Sequence, residues 1–325
     1  MLSIYQTAAD FYQQTLLVNR TIQQYLVKRG VQPGSIKKWQ LGYAELGTSS
    51  NFVNHMLKTY PVSDLEQAGL CILQGDELIP VFQERLVVPV HDQQGQIVAL
   101  YGRTMQAQNK HKWLSIGKRG DQLFGLATCV RSSKIVVVEG LIDVIVAQQQ
   151  GEHNVVSAFG TNLTLGQYQL LKARGTKTVV LLLDGDAGGE QAVLTEIERY
   201  VRFYRKGLAL DLKIATLPPG FDPDTLILNQ PVLWDNAVAE AQLFIFPFLA
   251  YLTRQYPGMA VEARTRSQQL KRAVMMLSAF LQHPEYKTYF NLVKNQLPFT
   301  ELELQQALTL QLQRYHHLGL LPLIN

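Results

Sequence analysis

Three short segments gather carboxylates beside glycine or proline: Glu139-Gly140-Leu141-Ile142-Asp143, Asp184-Gly185-Asp186-Ala187-Gly188-Gly189 and Asp222-Pro223-Asp224. Two carboxylates brought to 4 Å repel by roughly 4 kcal/mol at an effective dielectric of about 20, so a fold that collects them needs a cation to offset the cost. No His or Cys lies among these donors. An all-oxygen set selects Mg²⁺ or Mn²⁺, and Mg²⁺ commonly takes one or two carboxylates plus substrate phosphates, so the implied substrate carries phosphates. Each acid also has a plainer reading. Asp143 could sit at the positive end of a helix dipole, and Asp222 and Asp224 could be turn and cap residues around Pro223. Asp184 to Gly189 fits a plain turn least well, because two acids and three glycines at a helix start let backbone and metal approach closely. A second set of residues is basic. Residues 93 to 120 contain Arg103, Lys110, Lys112, Lys118 and Arg119 with no Asp or Glu, and Trp113 in their midst. That mixture suits phosphates and a stacked base, while a solvated, mobile loop is the ordinary alternative.

The elements that position these residues follow from hydrophobic period. Leu86 to Val90, a turn at 91–95 and Ile97 to Gly102 read as a hairpin. From Lys134 strand and helix alternate: strands at 135–138, 155–158, 179–183 and 212–215, with helices at 141–149, 165–173 and 188–206. Thr164 with Gln167 three positions on makes a capping box. Continuous apolar strands imply a parallel sheet covered on both faces, with its ligand beyond the carboxyl ends. Glu139 follows the first of these strands, Asp184 and Asp186 the third, and Asp222 and Asp224 lie shortly after the fourth. All five are expected at one edge, with Asp143 joining them from the first turn of its helix. The first ~80 residues read as amphipathic helices through Ile22, Leu26 and Val27, with a stop at Gly30 and Pro33. Beyond Gln230 the chain turns helical to about Gln313. The expected division is 1–130, 131–238 and 239–325.

Composition sets the bounds. The chain has 325 residues, 47% hydrophobic and 17% charged, enough to bury a full core, and this excludes wholesale disorder. A net charge of +4 permits a polyanionic partner without arguing for one. Cys71 and Cys129 have no neighbouring ligands, so neither a zinc ribbon nor a disulfide framework is supported, and a reducing, cytoplasmic setting is expected. No basic n-region and no run of roughly 20 apolar residues appears, so a soluble, non-exported protein without a membrane partner is expected.

Glu139 to Val144, Ala158 to Thr164, Leu183 to Gly188 and Leu217 to Leu226 resemble, in order and spacing, the toprim motifs of bacterial DnaG-type primases. Phe82 to Val90, Gly102-Arg103, Lys112-Trp113-Leu114 and Leu123 to Leu126 are similar to the basic N-terminal lobe of that family's polymerase core, Tyr5 to Tyr43 to its helical lead-in, and 240 to about 313 to its helical tail. The resemblance implies an α/β fold in which a toprim parallel-sheet domain is flanked by an α+β basic N-terminal lobe and a C-terminal helical subdomain. It implies RNA primer synthesis from ribonucleoside triphosphates on a single-stranded DNA template, with a replicative helicase as partner. Glu139, Asp184 and Asp186 would form the main Mg²⁺ or Mn²⁺ cluster, Asp222 and Asp224 would complete it, and Asp143 would assist. Arg85, Arg103, Lys112, Lys118 and Arg119 would meet template or nucleotide phosphates, and Trp113 would stack on a base. Two positions depart from the family's pattern: Gln83 replaces an expected Arg, and Ser115-Ile116-Gly117 replaces Asn-Ser-Pro. The zinc-binding and helicase-binding domains of the family have no counterpart here, which implies a core that initiates poorly by itself. A toprim nuclease or topoisomerase would share the acids, although no tyrosine is marked as a nucleophile. A non-catalytic DNA-binding replication accessory is the third reading.

Overall fold

The apolar run Arg85–His91, buried along nearly its whole length, is an inner strand of a four-stranded antiparallel sheet. The computed structural model describes residues 3–47, 49–106, 108–183, 187–208, 210–218, 220–255, 263–281 and 283–317. In chain order the elements begin with α1 (Ile4–Val18), α2 (Arg20–Lys28), α3 (Pro33–Lys38), β1 (Gly42–Ala44), α4 (Ser49–Leu57) and α5 (Val62–Gln67). Next come β2 (Cys71–Gln74), β3 (Glu77–Pro80), β4 (Arg85–His91), β5 (Ile97–Thr104) and β6 (Trp113–Gly117). The alternating part is β7 (Lys134–Val138), α6 (Leu141–Gln149), β8 (Val155–Ser157), α7 (Leu165–Ala173), β9 (Thr178–Leu182), α8 (Ala187–Tyr204) and β10 (Asp211–Ala215). Then follow α9 (Pro223–Asn229), α10 (Pro231–Ala239), β11 (Gln242–Leu243), α11 (Ile245–Gln255), α12 (Ala263–Ala279), α13 (Tyr286–Gln296) and α14 (Glu301–His317).

These elements fall into two compact units. The first comprises Met1–Gly160 and Phe221–Asp235. Its antiparallel sheet has the order β1-β4-β5-β6, and Ala8, Ala9 and Tyr12 of α1 share a core with Phe52, Phe82, Val87, Leu100 and Ile116. The expected hairpin is β4 and β5, paired Val87↔Gly102 and Leu86↔Arg103. The helical reading of the first ~80 residues omitted β1 and the β2–β3 hairpin, which closes Gln74↔Glu77 with Gly75 at φ 62°. β7 and β8 are parallel, as expected from their unbroken apolar residues, and α6 is buried at eight of nine positions with α9 packed on it.

The second unit comprises Thr161–Gly220 and Asn236–Asn325. β9 and β10 run parallel in the register Val180↔Lys213, and the short β11 closes antiparallel on β10. Thr164 caps α7: its hydroxyl accepts from Gln167 N at 3.0 Å, and the Gln167 side chain accepts from Thr164 N at 2.9 Å. Phe244 and Phe280 stack at 5.1 Å, and Tyr200 meets both, tying α8 to the C-terminal helices. No helix among the described residues is long and apolar enough to cross a membrane.

Candidate functional site

The turn from β7 into α6 carries the first candidate acid. Ser157 at the end of β8 pairs with Val138, and its hydroxyl donates to the Glu139 carbonyl at 2.7 Å while accepting from Phe159 N at 3.1 Å. Asp143 reaches back across the turn and accepts from Gly140 N at 3.0 Å. A Cβ on residue 140 would stand 2.4 Å from that carboxylate oxygen, so a larger residue there would require the Asp143 carboxylate to shift. Asp143 thus serves as the cap of α6 and fixes the backbone that presents Glu139.

Asp222 occupies the N-cap position of α9 and Asp224 its first turn. The Asp224 side chain is 4% exposed and is gripped by Arg29, whose Nη2 and Nε donate to Oδ2 at 2.5 and 3.2 Å. Its Oδ1 accepts from Thr225 N at 2.7 Å. Gln149 at the end of α6 completes the anchorage, donating to the Gly30 carbonyl at 2.5 Å and accepting from the Ser35 hydroxyl at 2.8 Å. The α2–α3 corner is therefore pinned to α6 and α9. The sequence reading missed Arg29 and Gln149, because partners 195 and 119 positions away leave no local pattern. Asp184 and Asp186 lie outside the described residues, between the ends of β9 and α8. Among the described residues no three His, Cys, Asp or Glu side chains gather into a ready metal cage.

The basic residues separate into three kinds. Arg85 is 5% exposed, and its Nη1 donates to the carbonyls of Gly102 and His111 at 3.0 and 3.2 Å. Burial lowers its pKa, and its Nη1 holds the β5–β6 connection. Arg103 is half-buried, bonded to the Tyr25 hydroxyl with its guanidinium 5.6 Å from that ring. Lys112 and Lys118 are exposed, and the stretch between them is a strand paired Gly102↔Leu114 rather than a mobile loop.

Arg119 belongs to an aromatic cluster. Its Nε donates to the Tyr101 hydroxyl at 3.0 Å, and its guanidinium lies 4.6 Å from the Phe159 ring centre. The Tyr101 ring stands 4.6 Å from Phe159 and 6.4 Å from Trp113, which is 37% exposed. Phe159 adopts φ 65°, the left-handed region that costs a non-glycine residue of order 1 kcal/mol or more. A cavity of about 180 Å³ opens here, lined by Tyr101, Trp113, Phe159, Glu139, Gly140 and Leu141 among others. Tyr101 carries no local signal in the sequence, whereas Phe159 lies within the Ala158 to Thr164 segment, directly before Gly160.

In the second unit the loop entering α7 is held by a buried carboxylate. Glu196 of α8 is fully buried; it accepts from Leu163 N at 3.1 Å and from the Tyr168 hydroxyl at 2.7 Å. Arg199 donates to the Leu163 carbonyl at 2.9 Å and stands 3.6 Å from Glu196. Burial outweighs these partners and pushes the Glu196 carboxyl up to about 7.

Residues 11–127 match the family "DNA primase catalytic core, N-terminal domain", and residues 136–227 match "Toprim-like". A DNA primase of Clostridium acetobutylicum is 31% identical over 228 residues, 68% of this chain and 37% of that protein; one from Aquifex aeolicus is 31% identical over 230 residues, 67% and 44%. The chain thus spans less than half the length of these curated relatives. A solved DnaG catalytic core superposes with a TM-score of 0.76 at 25% identity over 94% of this chain and 100% of that one. A DnaG primase catalytic domain bound to single-stranded DNA gives 0.72 at 25% identity over 90% and 97%. With both modules present in the family's order, the chain belongs to the DnaG-type primase catalytic cores.

Proposed function

We propose that this chain is the RNA polymerase core of a primase, joining ribonucleoside triphosphates into a short RNA primer on single-stranded DNA in the cytoplasm, beside a replicative helicase. The observation that carries the proposal is the ordered match of residues 11–127 and 136–227 to the two primase modules. The oxygen-only donors suit Mg²⁺ or Mn²⁺, with Glu139, Asp184 and Asp186 as the holding residues and Asp222 beside them. Bound there, the ions would supply neutralisation of triphosphate charge and stabilisation of the leaving pyrophosphate. The chain's own residues do the rest. Asp143 and Gly140 keep the Glu139 backbone in place and Arg29 anchors Asp224 at the start of α9, where Asp224 would complete the cluster with Asp222 and Asp143 would assist. Arg103, Lys112, Lys118 and Arg119 meet nucleic-acid phosphates, with Trp113 as a stacking surface.

Asp184→Asn or Asp186→Asn is expected to abolish incorporation of labelled ribonucleotides on single-stranded DNA. The melting temperature without divalent metal should stay level or rise, because one repelling charge is gone. Undiminished incorporation in both variants would overturn the metal assignment, and no incorporation by the unaltered chain on either bare or primed template would overturn the polymerase reading.

A further inference from the structure

We propose that the cavity at the amino ends of β9 and β10 is a second ligand site, one that takes a ribose phosphate. Its volume is about 470 Å³, within the roughly 300–1,000 Å³ of sites that enclose a small molecule, and Lys172, Lys177, Tyr204, Asp211, His283 and Pro284 are among the residues that line it. All six belong to the second unit. Lys177 directly precedes β9 and Asp211 opens β10, whereas Asp184 follows the far end of β9 in the chain. The five residues of β9, at about 3.3 Å each, put roughly 17 Å between its two ends, so this cavity is separate from the candidate acidic centre. Lys172 and Lys177 are exposed and make no ion pair among the described residues. Two uncompensated cations on one cavity favour a dianion, and a phosphate carries that charge. The Asp211 carboxylate lines the same space and would repel a phosphate, so it must meet another part of the ligand. It accepts hydrogen bonds and gives none, which the paired hydroxyls of a ribose satisfy. The backbone offers little here: Gly175 N, Thr176 N and Asp211 N are already given to the carbonyls of Lys172, Leu171 and Lys177 at 2.9, 3.1 and 2.8 Å. Recognition therefore falls to side chains. His283 Nδ1 accepts from Glu285 N at 3.0 Å, so the neutral ring carries its hydrogen on Nε2, a further donor. Burial, together with the charge of Asp211, raises the pKa of the Tyr204 hydroxyl and keeps it a donor. The aromatic wall is formed before any ligand arrives, because Tyr204 stacks on Phe280 at 4.3 Å and His283 on Tyr289 at 5.3 Å. A dianion, vicinal hydroxyls and an apolar remainder together describe a nucleoside monophosphate, and a free sugar phosphate shares the first two.

Ribose 5-phosphate, adenosine 5′-monophosphate, its 2′,3′-dideoxy analogue and inorganic phosphate would each be titrated calorimetrically into the full chain without divalent metal. The expected result is one saturable site per chain for the first two, with the dideoxy analogue and inorganic phosphate about fivefold weaker or more. Tighter binding of the adenosine nucleotide than of ribose 5-phosphate would identify a nucleotide as the ligand, and equal affinity a sugar phosphate. Lys172→Glu combined with Lys177→Glu should weaken both by about tenfold or more, with a circular dichroism melt matching that of the unaltered chain. Asp211→Asn should weaken the adenosine nucleotide and leave the dideoxy analogue within about twofold. Neither lysine is among the candidate catalytic or template-binding residues, so ribonucleotide incorporation by the double variant should equal that of the unaltered chain. Absence of saturable heat, inorganic phosphate binding as tightly as ribose 5-phosphate, or unaltered affinity in the double lysine variant would overturn the site. Loss of incorporation together with binding would place these lysines in the polymerase machinery and overturn it equally.

Discussion

Asp224 has contacts that its residue type does not announce. Its place after Pro223 groups it with the metal-binding candidates, and Arg29 and Thr225 each donate to one of its oxygens. Arg29→Ala should destabilise the fold by about 2 kcal/mol, less than the loss of a fully buried pair because Arg29 is 34% exposed. Arg29→Ala combined with Asp224→Ala should cost less than the sum of the two single changes, and urea unfolding of the three variants measures the difference. Arg85 makes a related point. A positive charge in a basic lobe suggests phosphate contact, and this side chain, buried at the start of β4, also places Nη1 on backbone carbonyls. Arg85→Lys is expected to lower the melting temperature by several degrees, since the shorter lysine places its ammonium away from the position that Nη1 holds between Gly102 and His111, and to leave single-stranded DNA affinity within twofold at a temperature where the variant is folded. The acids after β7 and at α9 were legible because strand ends and proline turns have local signatures. Burial of a cation has none.

The alternating elements were legible almost to the residue, because β7, β8, β9 and β10 are short unbroken apolar runs whose neighbours switch to helical period. β1, β2 and β6 were not: each is three to five residues long, and β6 is a short, partly exposed strand whose basic flanks look like a loop. Two predictions belong to elements. The α7 entry loop rests on Glu196, whose raised carboxyl value means that the ionised form is penalised in the fold. The penalty is absent when folded and unfolded states are both protonated, and it grows as pH climbs from about 4.5 to about 7. Stability should therefore fall across that window by up to something on the order of 3 kcal/mol. Glu196→Gln should flatten the fall, and denaturant titrations at pH 5 and pH 8 would reveal a persisting slope if the origin lies elsewhere. The β5–β6 edge offers exposed cations: Lys112→Glu or Lys118→Glu should weaken single-stranded DNA binding for every sequence and reduce the salt slope by about one counterion for each lost contact. Identical isotherms over a salt titration would remove these lysines from the interface.

At the scale of the whole chain, the first unit leaves off at Gly160 and resumes at Phe221. Nothing in composition or period announces that return, since α9 is one more short apolar helix among many. Its importance lies in what it covers: α6, buried at eight of nine positions, and Arg29 near the other end of the sequence. A chain ending at Gly220 should lose cooperative unfolding of its N-terminal part and bind a hydrophobic dye, whereas one ending at Gln255 should keep that part's transition; circular dichroism melts of the two distinguish the cases. The same discontinuity gives synthesis on the ribosome a schedule. Residues 161 to 235 must be added after Gly160 before the first unit has all its parts, roughly 4–15 s of elongation at ~5–20 residues/s. Throughout that interval the nascent chain carries α6 without its cover and Arg29 without its counter-ion. Translation speed across codons 161 to 235 thus becomes a determinant of yield, with slower decoding lengthening the time in which a chaperone or another nascent chain can reach the exposed helix.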